Sequence, residues 1–151
     1  MESSWGRIVW IFFHTFAEKV DATFFEENID TCLNIVTTIC RNLPCPVCTV
    51  HANMFLRKHQ IKQLVKTKEE LKRYLFLFHN HVNTITRKAN PQIDILTMYK
   101  RAVFDRVALT FVKTYNNRAP FTRAYADKMN RSGVAKDTMS FLKQNYRFFS
   151  N

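Results

Sequence analysis

Glycine and proline are scarce in this chain of 151 residues, which contains 2 Gly and 4 Pro. All-β sandwiches, barrels and glycine-rich nucleotide loops need turn glycines, so the composition argues against these classes. Long apolar runs are lacking too. The longest near the N-terminus, residues 8–13, is too short for a membrane span or a signal sequence. We therefore expect a soluble protein of the cytoplasm.

Apolar and aromatic residues are plentiful, since 46% of the chain is apolar and 14 residues are Phe. This is enough to bury the core of one domain, and it excludes a disordered chain. Positive charge is in excess, with a net charge of +11, and residues 101–151 contain ten Lys and Arg against three Asp and Glu. Such a basic segment indicates either an acidic partner such as phosphate or a solvated basic surface.

Apolar residues recur at spacings of three and four along almost the whole chain, which predicts an all-α fold. Four helices up to about residue 100 form a bundle, and additional helices follow. Pro46 is predicted in the first turn of the third helix, and Thr67 with Glu70 forms a capping box for the fourth. The predicted apolar faces are Trp5, Val9, Phe12, Phe16 and Val20; Ile29, Cys32, Val36 and Ile39; Ala52, Phe55 and Leu56; and Leu71, Leu75, Phe78, Val82 and Ile85.

Polar segments set the expected helix boundaries. Ser3 or Ser4 can cap the first helix, and the polar stretch 21–28 is expected to connect it to the second. A fifth helix is predicted over about 95–115, ending at the Asn and Pro residues that follow. The Asn-Arg-Ser-Gly sequence at 130–133 predicts a turn between two last helices, over about 121–129 and 134–149.

Of the four cysteines, only Cys45 and Cys48 have C-x-x-C spacing. A zinc site needs four ligands, and the remaining candidates are Cys40 and His51 with His59, which lie too far apart for a standard histidine pair. A redox role has a physical basis, because the positive end of a helix dipole stabilises a thiolate at Cys45. A chance pair of buried cysteines is the third interpretation.

A redox dithiol on an all-helical scaffold requires help to make new disulfides. A dithiol alone only exchanges disulfides, whereas a flavin can take the electrons away. Polar and aromatic residues at helical spacing are suited to hold a flat ring and a pyrophosphate. These residues are Arg7, Trp10 and His14 on the first helix, Cys48 and His51 on the third, and His79, Asn80 and Asn83 on the fourth, followed by Lys88.

Three motifs resemble those of the Erv/ALR family of FAD-linked sulfhydryl oxidases, in the order and spacing of that family, over about residues 4–100. They are Trp5-Gly6-Arg7-x-x-Trp10-x-x-x-His14-Thr15, Leu43-Pro44-Cys45-Pro46-Val47-Cys48-x-x-His51, and His79-Asn80-His81-Val82-Asn83 followed by Lys88. The short form looks most like the oxidases of iridoviruses, asfarviruses and poxviruses. The resemblance implies a helical bundle that binds FAD non-covalently and commonly forms a homodimer.

The resemblance also implies roles for individual residues. A protein dithiol would attack at Cys45, Cys48 would face the flavin, and the electrons would pass to FAD and then to dioxygen, giving hydrogen peroxide. The implied cofactor-binding residues are Arg7, Trp10, His14, Cys48, His51, His79, Asn80, Asn83, Lys88 and Tyr99, the last of these near the adenine.

The alternative is a helical binding module with a structural zinc C-x-x-C and a basic tail that contacts nucleic acid.

Two features depart from cellular members of that family. The chain has neither their second, CX16C disulfide nor a separate shuttle C-x-x-C, so the substrate or a partner protein's dithiol must meet Cys45 directly. Cys32 and Cys40 lie eight residues apart, roughly 12 Å along one helix, too far to form a disulfide. We assign Cys32 to the core and leave the role of Cys40 open.

The second departure is the segment after residue 100. We assign residues 1–100 to the oxidase domain and 101–151 to a basic helical extension. We predict that this extension packs on the core or on a second subunit, in preference to contacting nucleic acid, because a polybasic disordered arm would lack so many apolar residues. Those residues are Val103, Val107, Phe111, Phe121, Met129, Phe141, Leu142, Phe148 and Phe149.

Overall fold

The computed structural model describes residues 4–116 and 124–151, and over these ranges the fold is all-α, as predicted. Within them no strand forms, and a single isolated β-bridge joins Val20 to Phe149. The α-helices are α1 Ser4–Lys19, α2 Ala22–Glu27, α3 Ile29–Arg41, α4 Pro46–Lys58, α5 Ile61–Leu64, α6 Lys68–Ile85, α7 Phe104–Asn116 and α8 Ala124–Gln144, with 3₁₀ helices at Ile93–Arg101 and Tyr146–Phe148.

The four predicted N-terminal helices are present as α1, α3, α4 and α6. Pro46 is the first residue of α4. The capping box of α6 is confirmed, because the Glu70 N–H donates to Thr67 Oγ1 at 3.2 Å and the Thr67 N–H donates to Glu70 Oε1 at 3.1 Å. The polar stretch 21–28 is not a plain connection: the Asp21 carboxylate accepts the Phe24 N–H at 2.8 Å and thereby starts the short helix α2.

The predicted apolar faces are buried almost throughout. All five residues predicted for α1 are buried, as are the central residues of α3 and α6. Ile29, Leu56 and Val82 are partly buried, and Ile85 at the end of α6 is 42% exposed. Ser4 lies inside α1, and Ser3 lies outside the described residues.

The single helix predicted over 95–115 is wrong. A 3₁₀ helix ends at Arg101, and α7 begins at Phe104 after an extended Ala102. The carbonyl of Lys100 accepts a hydrogen bond from the buried Lys19 Nζ of α1 at 2.9 Å. This tertiary bond gives the Lys100 carbonyl a partner where the helix is interrupted.

The turn predicted at 130–133 is wrong as well, because α8 runs unbroken from Ala124 to Gln144. Arg131, Ala135, Thr138 and Leu142 are buried at helical spacings across the supposed turn. A glycine in a helix interior costs about 1 kcal/mol relative to alanine. The packing of this buried face outweighs that cost at Gly133. Residues 121–123 of the predicted preceding helix lie outside the described range.

Helix α1 lies at the centre of the bundle, with α6 against one side and α7 against another. The rings of Phe12 and Phe111 stack with their centroids 4.2 Å apart. The Tyr115 hydroxyl at the end of α7 donates to the Asn42 carbonyl at 2.8 Å, which ties α7 to the end of α3. The segment after residue 100 therefore packs directly on the helices before it.

The C-terminus closes on the junction of α1 and α2. The Asp21 N–H donates to the Phe148 carbonyl at 2.7 Å, and the Ser150 N–H donates to the Lys19 carbonyl at 2.9 Å. The ring of Phe149 stacks on that of Phe104 at 4.7 Å. Of the apolar residues expected to be buried in the extension, Phe111, Leu142 and Phe149 are buried, Val107, Phe141 and Phe148 are partly buried, Val103 and Met129 are exposed, and Phe121 lies outside the described residues.

Candidate active site

Cys45 and Cys48 form a disulfide at the start of α4, with their Cα atoms 5.2 Å apart. Cys45 is the N-cap residue in an extended conformation, and its Sγ accepts the backbone N–H of Cys48 at 3.2 Å. Pro46 supplies the fixed backbone angle that the first helical turn requires. Because the positive end of the α4 dipole faces Cys45, a thiolate formed there on reduction is stabilised.

Cys48 lies on the wall of an apolar cleft between α1, α4 and α6 that encloses about 780 Å³ of empty space including its mouth. Small-molecule sites are typically apolar clefts with a few polar groups. Four residues predicted to bind the cofactor line it: Trp10, Cys48, His51 and Lys88. The other lining residues are Trp5, Gly6, Val9, Phe13, Cys40, Leu43, Ala52, Phe78, Val82 and Thr86.

A cluster of rings joins α1, α6 and the first 3₁₀ helix beside this cleft. Trp10 and His79 stack nearly parallel, with centroids 4.2 Å apart and an interplanar angle of 6°. His14 Nε2 lies 3.0 Å from His79 Nδ1, within hydrogen-bonding distance. The ring of Tyr99 stacks on that of His14 at 4.9 Å. Residues predicted from the first and third motifs, together with Tyr99, thus lie in mutual contact.

Burial keeps the His14 imidazole neutral at neutral pH. Desolvation, together with the neighbouring His79, lowers the pKa of His14 to about 3. Its Nδ1 atom is buried and has no hydrogen-bond partner among the described residues. Burial also raises the pKa of Tyr99, while the positive charge of Arg7 acts in the opposite direction. Arg7 is itself exposed, so it contributes its charge from the rim of the cluster.

The end of α6 determines where Lys88 lies. The Lys88 N–H donates to the Asn83 carbonyl at 2.7 Å and the Arg87 N–H donates to the Thr84 carbonyl at 3.2 Å, which is the Schellman pattern of helix termination. Arg87 adopts the left-handed conformation that this motif needs, with φ of 59°. The turn brings Lys88 back to the cleft, while Asn83 is buried one turn earlier.

Asn80 is not brought to the cleft. It lines a separate depression on the other side of α6 together with His59, Tyr74 and His81. Asn80 points about 100° away from His79 around α6, towards this depression. The role predicted for Asn80 stays a prediction.

The two cysteines outside the C-x-x-C pair are unbonded and buried. Desolvation raises the pKa of each thiol to about 12, so both are protonated at neutral pH. Cys32 lies in the hydrophobic core, as predicted. Cys40 lines the same cleft as Cys48, a placement that the sequence did not reveal.

The apolar wall of the cleft escaped the sequence analysis. Val9, Phe13 and Phe78 have the spacing of core residues. Spacing alone does not distinguish a residue that lines a cleft from a residue in the core. The flanking residues Trp5 and Gly6 belong to the first motif, which was the one available signal.

The alternative of a zinc-binding module finds no ligand set in the described ranges. No group of three or more His, Cys, Asp or Glu side chains is placed there to hold a metal ion. None of the described helices is long and apolar enough to cross a membrane.

The described residues form an all-α bundle with a disulfide at a helix start beside an aromatic cleft. Comparison with known families identifies the class of protein to which this combination belongs. The chain belongs to the Erv1/Alr family, whose model matches residues 7–102. A protein of Invertebrate iridescent virus 3, named "Putative FAD-linked sulfhydryl oxidase 096R", is 28% identical over 97 residues, which are 64% of this chain and 64% of that protein. The chain thus covers less than two thirds of the length of this relative. No solved structure gave a significant match.

Proposed function

We propose that the protein is an FAD-dependent thiol oxidase that forms disulfides in protein substrates. The observation that carries this proposal is the placement of Cys48. One sulfur of the helix-capping disulfide lies on the wall of an apolar cleft that also presents Trp10, His51 and Lys88. The family and the name of the iridovirus relative support the same activity.

The residues of the cleft fit FAD. Its walls are aromatic and aliphatic, which suits a flat isoalloxazine ring, and Lys88 at its edge is suited to a pyrophosphate. Trp10, His14, His79 and Tyr99 form the adjoining ring cluster, and the buried Nδ1 of His14 offers a polar atom to a ligand. When bound, FAD takes an electron pair from the reduced cysteines and delivers it to dioxygen, giving hydrogen peroxide.

The chain itself carries out the thiol–disulfide exchange. A substrate thiolate attacks Cys45 Sγ, the Cys45–Cys48 bond breaks, and Cys48 leaves as a thiolate facing the cleft. A second substrate thiolate then attacks the mixed disulfide, so the substrate disulfide forms and Cys45 leaves as a thiolate. Two substrate thiols lose two electrons and two protons in total, and one dioxygen becomes one hydrogen peroxide.

The remaining assignments are part of the proposal. We place Arg7, His51, Asn80 and Asn83 in the cofactor site by their motif positions. We further propose a homodimer that acts on protein dithiols in the cytoplasm, with the helices after residue 100 as a basic extension of the oxidase domain.

An absorption spectrum of the purified protein tests the cofactor. We expect a yellow protein that carries one FAD per chain and releases it on denaturation without a covalent link. Oxygen consumption with dithiothreitol should yield one hydrogen peroxide per dithiol oxidised. A folded, flavin-free protein that does not take up added FAD would refute the proposal.

Cysteine variants test the order of the two sulfurs. Cys48→Ser and Cys45→Ser should both lose turnover with FAD still bound. Only Cys45→Ser, which leaves a thiolate at Cys48 beside the flavin, should show a long-wavelength charge-transfer band. Cys32→Ser is the matched control and should retain turnover. The band appearing in Cys48→Ser instead would reverse the assignment.

A further inference from the structure

Helix α4 presents a ridge of apolar side chains on the surface of the bundle. The ridge consists of Val47, Val50 and Met54, which follow one another at helical spacings of three and four, and each is more than half exposed. A single exposed apolar residue is ordinary, whereas a contiguous exposed apolar patch marks an interaction site. The ridge is therefore a candidate contact surface.

The orientation of α4 places this ridge beside α6. Phe55 faces α6, because its ring stacks on that of Phe78 with the centroids 4.4 Å apart. Leu56 faces α3, because it lines a pocket together with Asn34 of that helix. Successive residues on a helix point about 100° apart, so Met54 and Leu56 lie on opposite sides of Phe55. Met54 therefore lies at the outer edge of the groove between α4 and α6, away from α3.

A depression lies beside the ridge, between α4, α5 and α6, and it is the one that Asn80 lines. Phe55 and Tyr74 are its buried lining residues, and Leu64 and Leu77, both more than half exposed, flank it. The rest of its lining consists of amide, hydroxyl and imidazole groups. No Lys, Arg, Asp or Glu side chain is among the described residues that line it. The ridge and the depression together form a face, called here the α4–α6 face, with an uncharged centre.

A second copy of this chain is the partner that this face fits. Each chain has a net charge of +11, so two copies repel one another where their basic surfaces meet and approach most easily through surface without charged groups. A twofold interface also needs a face that is complementary to itself. A convex ridge alongside a concave depression meets this need, because the ridge of each copy can fill the depression of the other.

We propose that the α4–α6 face joins two copies of this chain in a twofold-symmetric dimer, with Met54 of each copy seated against Leu64 and Leu77 of the other. The centre of a homodimer interface is apolar and depleted in charge, and its rim is polar. Lys58, exposed one turn after Met54, belongs to that rim. The inference rests on the proposed function and gives its homodimer a defined contact surface.

Sedimentation equilibrium of the FAD-loaded holoenzyme measures the dissociation constant of the dimer. Helix α4 is about 20 Å long, and two neighbouring helices are about 20 Å wide, so the interface is at the small end of the known range. We therefore expect a dissociation constant on the order of 1–10 μM.

Substitutions on the two halves of the face should separate the subunits. Met54→Glu on the ridge and Leu77→Glu beside the depression should each raise the dissociation constant by about 30-fold or more, the effect of an interface hot spot. Each substitution buries an unpaired carboxylate at two symmetric places, which is why the loss is large. The flavin spectrum and dithiothreitol oxidation should match the wild type, showing that the fold is intact.

The chain offers a matched control for each variant. Met129→Glu on α8 and Leu109→Glu on α7 replace side chains that are 59% and 52% exposed, against 61% and 55% for Met54 and Leu77. Both controls should retain the wild-type dissociation constant. A control that dissociates as far as its matched variant would overturn the proposal, as would a dimer that persists in both Met54→Glu and Leu77→Glu.

A mixture of two variants tests how ridge and depression pair. In a mixed dimer of Met54→Glu with Leu77→Lys, one contact joins the introduced carboxylate to the introduced ammonium, and the symmetric contact is the wild-type one. We expect the mixture to dimerise at a concentration where each variant alone is monomeric. Failure of the mixture to dimerise would overturn the pairing.

The wild type itself supplies the last test. A holoenzyme that stays monomeric up to about 100 μM would overturn the proposal. If Met54→Glu then oxidised reduced ribonuclease A more slowly but dithiothreitol at the wild-type rate, the face would dock a substrate instead of a second copy. The oxidase function is judged separately by FAD content and dithiothreitol oxidation, so a monomer that turns over would refute the dimer and leave the oxidase standing.

Discussion

Acid should destabilise this protein through one buried imidazole. His14 is 4% exposed and its pKa is lowered from 6.5 to about 3, first by desolvation and then by His79. The unfolded chain binds a proton at this residue below pH 6.5, and the folded protein does not until about pH 3. The stability contribution is therefore fully present above pH 6.5 and is lost as the pH falls towards 3.

The size of the effect follows from the two pKa values. Between pH 7.5 and pH 5.0 the linkage relation gives a loss of about 2 kcal/mol for a group that shifts from 6.5 to about 3. In His14→Gln this loss should disappear, because an amide does not titrate. At pH 7.5 the variant should be less stable by about 1 kcal/mol, since the contact with His79 is weakened. The two stability curves should therefore converge and cross near pH 6.

Urea unfolding of holoenzyme at constant free FAD, followed by circular dichroism at 222 nm, measures this difference. The carboxylates titrate in both proteins, so the difference between the two curves, corrected for the FAD affinity of each protein at each pH, isolates residue 14. His81→Gln replaces an exposed histidine of α6 and is expected to follow the wild-type curve. Parallel curves for wild type and His14→Gln from pH 7.5 to 5.0 would refute the reasoning.

Three further variants test the fold. Arg87→Gly should raise the free energy of unfolding by about 1 kcal/mol because it relieves a left-handed residue. The control Arg73→Gly inside α6 should lower it by about 1 kcal/mol. Chemical denaturation gives both values, and a lower free energy of unfolding for Arg87→Gly would contradict the strain argument. Phe111→Ala should lower the free energy of unfolding by about 3–5 kcal/mol. The control Leu109→Ala, on the exposed side of α7, should change it by no more than about 0.5 kcal/mol. Thermal unfolding compares the two variants, and equal losses of stability would show that α7 does not bury Phe111. Cys32→Ser should lose about 1–3 kcal/mol from burying a hydroxyl yet retain dithiol oxidation, and loss of turnover with FAD bound would contradict its core assignment.

The sequence predicted the elements whose signals are local. The capping box at Thr67 and Glu70 and the helix start at Pro46 need only the residues that form them, and both are confirmed. The break between residues 101 and 104 was missed; the Lys100 carbonyl beside it accepts a hydrogen bond from Lys19, a partner 81 residues away. Tertiary partners of this kind leave no trace in local spacing.

The candidate site shows the same division. The motifs identified Trp10, His14 and His79, the resemblance added Tyr99, and the structure brings these four rings together. Asn80 was assigned to the cofactor by its position in the third motif, but it lines a depression separate from the cleft.

The pattern of α1 explains why the chain continues past the family-matched segment. Buried residues occur all around this helix: Phe12 and Phe16 on one side, Trp5, Val9 and Phe13 towards the cleft. A helix that is apolar all round must be covered all round. Helix α6 covers the cleft side only, and the opposite side is covered by α7 and by the C-terminal residues, through the Phe12–Phe111 and Phe16–Phe149 ring contacts. Because this cover holds α1 from behind, the same helices that form the extension also fix the wall of the cleft in front of Cys48.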